Sequence, residues 1–262
     1  MMNQSAENAA PAVEIEALTF AWSAAKAEQE RFRLEIPAWR LERGARVALT
    51  GPSGSGKTTL LTLLSGVATA QGGALRVLGQ DLAQLSGPAR DRFRGAHIGL
   101  IFQMFNLLPY AGAVENALLP LHFAPARRAK AGPDPAAEAA RLLGRLGLPP
   151  EAYGGAPVSQ LSVGQQQRVA AARALIGAPE LIIADEPTSA LDAPNRDAFL
   201  DLLFAEADRS GAALLLVTHD EAVAARFETV TALGAILSGA ARGAETTRAE
   251  PPQAARLEET KP

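Results

Sequence analysis

Gly51-Pro52-Ser53-Gly54-Ser55-Gly56-Lys57-Thr58-Thr59 stands between an apolar, strand-like run, Val47-Ala48-Leu49-Thr50, and a helix-like one, Leu60-Leu61-Thr62-Leu63-Leu64. The glycines let the backbone curl so that several N–H groups point inward at an anion, and the following helix turns its positive end to the same place. In such a cradle Lys57 reaches the β- and γ-phosphates and Thr58 sets its hydroxyl on Mg²⁺; Gly51, Gly56, Lys57 and Thr58 match the Walker A pattern position by position. A glycine-rich turn that merely caps a helix does not call for that lysine and threonine in register. The chain is therefore expected to bind a nucleoside triphosphate.

Hydrolysis needs a further carboxylate for the metal and a base. Leu181-Ile182-Ile183-Ala184-Asp185-Glu186 is a short continuous apolar run, as in strands buried on both faces of a parallel sheet, and it ends in two acids. At that strand end Asp185 is expected to bind Mg²⁺, usually through water, and Glu186 to orient the attacking water as base. The plainer reading, acids that open a surface turn before Pro187, loses ground once the upstream loop is counted.

Leu161-Ser162-Val163-Gly164-Gln165 precedes a helix, Gln166-Gln167-Arg168-Val169-Ala170-Ala171-Ala172-Arg173-Ala174-Leu175. Ser162 as N-cap, a glycine N–H and the helix's positive end form a second phosphate-binding surface, which one ATP in one subunit does not easily share with the first. Standing alone this would be a capped amphipathic helix. It is accompanied by Ser189-Ala190-Leu191-Asp192, by His219 after the apolar run Leu214–Thr218, and by Gln103 after Ile98–Phe102.

From about Val13 to about Leu237 the chain resembles the ATP-binding cassette subunit of ABC transporters. The resemblance implies a head-to-tail dimer, homodimeric or with a related cassette, in which the signature of one subunit closes on ATP held by the other. It assigns Ser162, Gly164 and Gln165 to that signature, Asp192 to the dimer seam, Gln103 to Mg²⁺ or water and to sensing a membrane subunit, and His219 to the γ-phosphate. Trp22 falls where the family stacks an aromatic on adenine; Phe20 is assigned to the core, on the opposite strand face. Two positions depart from the pattern: Val163 replaces the signature's usual first glycine, and Trp22 replaces the commoner tyrosine.

The motifs predict an α/β fold: a P-loop NTPase core with a mainly parallel sheet, a small antiparallel β subdomain and a helical insertion. The cassette is placed at 13–238 with its helical part at about 104–165, between 1–12 and a tail from about 239 expected to be disordered. Strands are expected at Val13–Phe20, Phe32–Ile36, Val47–Thr50, 98–102, 181–185 and 213–217, a charged turn at Lys26–Arg31, and helices at Val114–Leu121 and Ala136–Leu146.

With 262 residues and 48% hydrophobic content the chain can bury a full core as one domain, and no internal repeat marks a second cassette. A net charge of −3 supplies no basic field for nucleic acid or anionic lipid. The absence of cysteine excludes disulfides and thiolate chemistry. No apolar run is long enough to cross a bilayer, and Met1–Ser5 lacks a secretion signal, so a role in transport needs a separate transmembrane permease.

Arg94–Pro109, Val114-Glu115-Asn116 and Leu119-Pro120-Leu121 are similar to the lipoprotein-releasing and macrolide-export group of ABC ATPases. That similarity implies a peripheral subunit on the cytoplasmic face of the inner membrane. The other function it allows is a cassette signalling through a membrane partner to cell-wall hydrolases in cell division. Phe105, Leu107, Leu108 and Tyr110 either form an apolar groove for a permease helix or pack the insertion's own core.

Overall fold

The computed structural model describes residues 10–22, 33–153 and 155–239. The expected turn at Lys26–Arg31 lies outside these residues, as do 1–9 of the N-terminal stretch and the tail beyond Gly239. Ala12, assigned to that stretch, is fully buried and its carbonyl accepts the Leu78 N–H, so ordered chain begins before Val13.

An antiparallel sheet is laid down first. β1 (Val13–Ala21) pairs with β2 (Arg33–Leu41) and, across the intervening phosphate-loop segment, with β4 (Gly72–Val77), whose outer edge carries the short β5 (Gln80–Asp81). The β1–β4 register shifts between Glu16 and Thr19, where Ala17 is left-handed at φ 46. Position 73 must be glycine there, because a Cβ would sit 2.2 Å from the Ala17 carbonyl oxygen.

The second sheet is all parallel, in the order β6 (Ile98–Ile101), β7 (Leu181–Asp185), β8 (Ala213–Val217), β3 (Arg46–Thr50), β9 (Thr229–Ala232). Its central strands are continuous apolar runs because both faces are covered. Ile182, Ala184, Leu214 and Leu216 enter one core, and Leu181, Ile183, Leu215 and Val217 the other, as the two-residue period of a strand requires. The second core is shared with the antiparallel sheet and with α1 (Lys57–Leu64).

The remaining helices are α2 (Gly87–His97), α3 (Ala113–Leu118), α4 (Pro125–Lys130), α5 (Pro135–Arg145), α6 (Val163–Leu175), α7 (Ala193–Ser210), α8 (Glu221–Ala224) and α9 (Leu233–Leu237). α3 and α5 pack on α6 and form the helical insertion. Buried Asn116 on α3 anchors the loop before it: its side chain accepts the Leu108 N–H and donates to the carbonyls of Leu108, Ala111 and Gly112. The insertion is pinned to the core by Arg127 of α4, which is 2% exposed and donates to the carbonyls of Ile176, Ala174, Arg173 and Ile98. Burial lowers this guanidinium to about 10, still charged at neutral pH, among the partly negative carbonyls ending α6.

The expected strands and helices all occur, within a few residues at their ends. β4, β5, β9, α2, α4, α7, α8 and α9 are additional: β4 carries two glycines and β9 is four residues long, so neither has a strong alternating pattern.

Candidate active site

The site lies at the C-terminal edge of the parallel sheet, where β3, β6, β7 and β8 deliver loops side by side. β3 runs into the phosphate loop, and α1 starts at Gly56, whose φ of 106 places it in backbone space open mainly to glycine. No side chain caps α1, so its first N–H groups remain available to an anion. Lys57 is buried and folds back over its own loop, its Nζ donating to the carbonyls of Gly51 at 2.7 Å and Pro52 at 2.9 Å. The ammonium is thus held beside the cradle with no direct ion pair among the described residues, within reach of the Asp185 charge.

A cavity of about 630 Å³ opens above the loop, lined by Ser53, Gly54, Gly56, Lys57, Thr58 and Thr59, by Gln103 beyond β6, by Asp185 and Glu186 beyond β7, and by His219 beyond β8. Its last wall is Trp22, whose indole N–H donates to Thr59 Oγ1 at 3.2 Å. The fold therefore gathers one chemical group from each of several distant segments. Thr58 Oγ1 stands 3.5 Å from Asp185 Oδ2. Burial first, then the adjacent Glu186 charge, pushes the Asp185 carboxyl above its ordinary range. Glu186 has a left-handed backbone at φ 45, unfavourable for a non-glycine residue, and its N–H donates to the Val217 carbonyl of β8. His219 Nδ1 lies 2.8 Å from Glu186 Oε1.

Gly51 and Pro52 border a neighbouring hollow that also reaches His219, and the Ser55 hydroxyl is buried with no hydrogen-bond partner. Ser162, Gly164, Gln165 and Asp192 do not line the cavity. Ser162 caps α6 as expected, in a reciprocal pair in which it accepts the Gln165 N–H while Gln165 Oε1 accepts the Ser162 N–H. Asp192 caps α7 by accepting the Asn195 N–H at 3.0 Å. Val163 is the first helical residue of α6 and is 49% exposed.

Phe20 is buried as expected but is not on the face opposite Trp22. Residues two apart in a strand share a side, and the two rings meet edge to face at 4.9 Å. Of the apolar residues after Gln103, Leu107 packs against the insertion's core, Phe105 and Leu108 are half-buried, and Tyr110 is 75% exposed beside an 83% exposed Met104.

Two arginines that organise the site's surroundings, Arg127 and Arg173, escaped the sequence reading. Arg173 is buried and donates to the carbonyls of Asn106 and Phe105, in the loop that follows Gln103. For Arg173 the one signal was a basic residue in the alanine-rich second half of α6; Arg127, in the basic run Arg127-Arg128-Ala129-Lys130, gave none.

The profile described as ABC transporter matches residues 34–189. The lipoprotein-releasing system ATP-binding protein LolD of Anaeromyxobacter dehalogenans is 45% identical over 190 residues, covering 72% of this chain and 77% of its own length. The macrolide export ATP-binding/permease protein MacB of Bradyrhizobium diazoefficiens is 43% identical over 193 residues, 74% of this chain but 28% of that longer protein. Among solved structures, the dimeric ATP-binding cassette MJ0796 in a post-hydrolysis state bound to ADP and Pi aligns with a TM-score of 0.69 at 31% identity, over 84% of this chain and 93% of that one.

Proposed function

This chain belongs to the ABC transporter family, and from that premise we propose that it hydrolyses ATP in the cavity over Gly51–Thr59, as one half of a cassette dimer that drives a separate permease. The observation that carries the reading is the meeting of Lys57, Thr58, Gln103, Asp185, Glu186 and His219 around one cavity. Family membership establishes the ABC ATPase; the individual roles and the partners are our assignment.

The phosphate loop and the start of α1 bind the triphosphate, with Lys57 already placed as the counter-charge. Trp22 offers its exposed face to adenine. The Thr58 hydroxyl, the Asp185 carboxylate and the Gln103 amide are hard oxygen donors that suit Mg²⁺, an ion that keeps several ligands as water and phosphate. Among the described residues no group of three or more acids and histidines forms a dedicated cage, in keeping with a metal brought in with the nucleotide. When bound, Mg²⁺ would offset phosphate charge. Glu186 accepts the proton of the attacking water, and His219, hydrogen-bonded to it, faces the γ-phosphate.

Ser162 and Gly164 supply the helix N-terminus that the partner's ATP lacks, and Asp192 lies at the seam. The dimeric state of the MJ0796 cassette supports this arrangement. Among the described residues no helix is long and apolar enough to cross a membrane. The exposed Met104 and Tyr110, continuous with the Gln103 loop, receive a helix of the permease at the cytoplasmic face of the inner membrane. The relatives, named for lipoprotein release and for macrolide export, support a cargo of one of those two classes. Glu186→Gln is expected to bind ATP, accumulate as a dimer and release no phosphate in steady state. Phosphate release at the wild-type rate from that variant would overturn the assignment of the base.

A further inference from the structure

The loop that leaves the cavity after Gln103 has an unusual backbone. Phe105 and Asn106 are consecutive non-glycine residues in the left-handed region, at φ 53 and φ 50. Asparagine tolerates this region better than phenylalanine, but two such residues in succession, Phe105 among them, need surroundings that hold them. Arg173 holds them: one of its N–H groups donates to the Asn106 carbonyl at 2.6 Å and another to the Phe105 carbonyl. Arg173 is 8% exposed, and burial alone lowers its basicity, with no carboxylate contributing. A fork of two parallel N–H donors matches two adjacent carbonyls in a way that a lysine's point charge does not.

Arg173 stands in the last turn of α6, the helix whose first turn carries Ser162 and Gly164. Its own carbonyl accepts from Arg127, so that end of α6 is fixed from a second direction. The strained pair is thus tied to the helix that starts at the signature, and Gln103 sits directly upstream of it, on the cavity wall.

We propose that Arg173 is a positioning residue that sets where Gln103 stands relative to the nucleotide, by clamping the left-handed Phe105–Asn106 turn to α6. The proposal rests on the reading above, in which Gln103 offers its amide oxygen to the Mg²⁺ that accompanies the nucleotide. Arg173 touches neither substrate nor metal; it acts through the loop.

The test uses the full chain as wild type, Arg173→Gln, Arg173→Lys and Arg173→Gln/Asn106→Gly. Three quantities are read: backbone hydrogen exchange over residues 102–108 without nucleotide, affinity for a fluorescent ATP analogue, and steady-state phosphate release. Arg173→Gln should speed exchange in that segment. It should also lower turnover about ten-fold, within the ~100-fold that a misplacement of roughly 1 Å can cost, while leaving affinity within about two-fold. Arg173→Lys should fall between. Glycine at 106 adopts the left-handed conformation freely, so the double variant should regain part of the lost turnover. A merely structural loss would not be relieved by a second substitution that makes the chain more flexible.

Unchanged turnover in Arg173→Gln, or a double variant no better than the single one, would overturn the proposal. Should Arg173→Gln fail to fold, Arg173→Lys with and without Asn106→Gly makes the same comparison. A wild-type chain that neither binds the analogue nor releases phosphate would instead overturn the underlying function, so the two failures are distinguishable.

Discussion

His219 Nδ1 and Glu186 Oε1 meet at 2.8 Å although 33 positions separate them in the chain (219 − 186). The parallel register explains the meeting: Asp185 at the end of β7 lies opposite Val217 at the end of β8, so the residues that follow each strand emerge together. Glu186 is further fixed by its N–H to the Val217 carbonyl, at the cost of a left-handed backbone.

On the roles proposed above, that contact lets His219 orient Glu186 as the base. His219→Ala should reduce phosphate release by about 100-fold, within the usual range for a positioned acid–base group, with little change in ATP affinity. Stopped-flow phosphate detection alongside nucleotide titration checks this, and a large loss of affinity would count against it.

Asp185 gives a pH signature. Its carboxyl is raised in the folded state, by burial and then by Glu186, so its neutral form is the one the fold favours. The contribution to stability is full below the unfolded carboxylate value and is lost as pH rises through the folded one. Asp185→Asn should therefore raise the melting temperature of the nucleotide-free protein at pH 7, with the gain shrinking as pH falls through the raised folded value and the aspartate itself becomes neutral. The same variant should lose the extra stabilisation by magnesium and ATP. Scanning calorimetry across pH, with and without ligand, reads both.

Val163 stands half-exposed beside the cap of α6, where a signature glycine is usual. Val163→Gly removes the branched side chain from the surface proposed to face the partner's nucleotide. In a Glu186→Gln background the ATP-bound dimer should tighten, as measured by sedimentation velocity. Stability should drop by no more than about 1 kcal/mol, the helix cost of glycine. A weaker dimer would show that the valine is itself a dimer contact.

Arg127 contributes mainly to stability. Arg127→Met keeps much of the side-chain length but strands the carbonyls of Ile176 and Ala174 that it satisfies. Each unpaired buried acceptor costs ~1–3 kcal/mol, so a loss of about 3 kcal/mol and a melting temperature lower by roughly 6–12 °C are expected from thermal unfolding.

How far the chain could be read in advance differs from residue to residue. Lys57 and Thr58 were legible because a phosphate cradle demands those side chains at fixed offsets from its glycines. Asp185, Glu186 and His219 were legible because a buried parallel strand is an unbroken apolar run whose polar successor is conspicuous. Leu107 and Tyr110 were not separable in advance, since hydrophobicity says nothing about which side chain finds a neighbour; one packs on the insertion's core and the other lies in solvent. Phe20 and Trp22 illustrate a rule misapplied, because a two-residue period puts them on one side of the strand.

The amino-acid order by itself determined the local pieces: the phosphate loop, the apolar strands with their terminal acids, and the capped helix behind Ser162. These follow from backbone freedom, periodicity and capping, all acting within a few residues. Only the tertiary structure decided that β4 pairs with β1, that Arg173 grips the turn after Gln103, and that Glu186 touches His219. Such contacts join distant segments through sheet register and desolvated carbonyls, and they exist only once the chain has closed on itself.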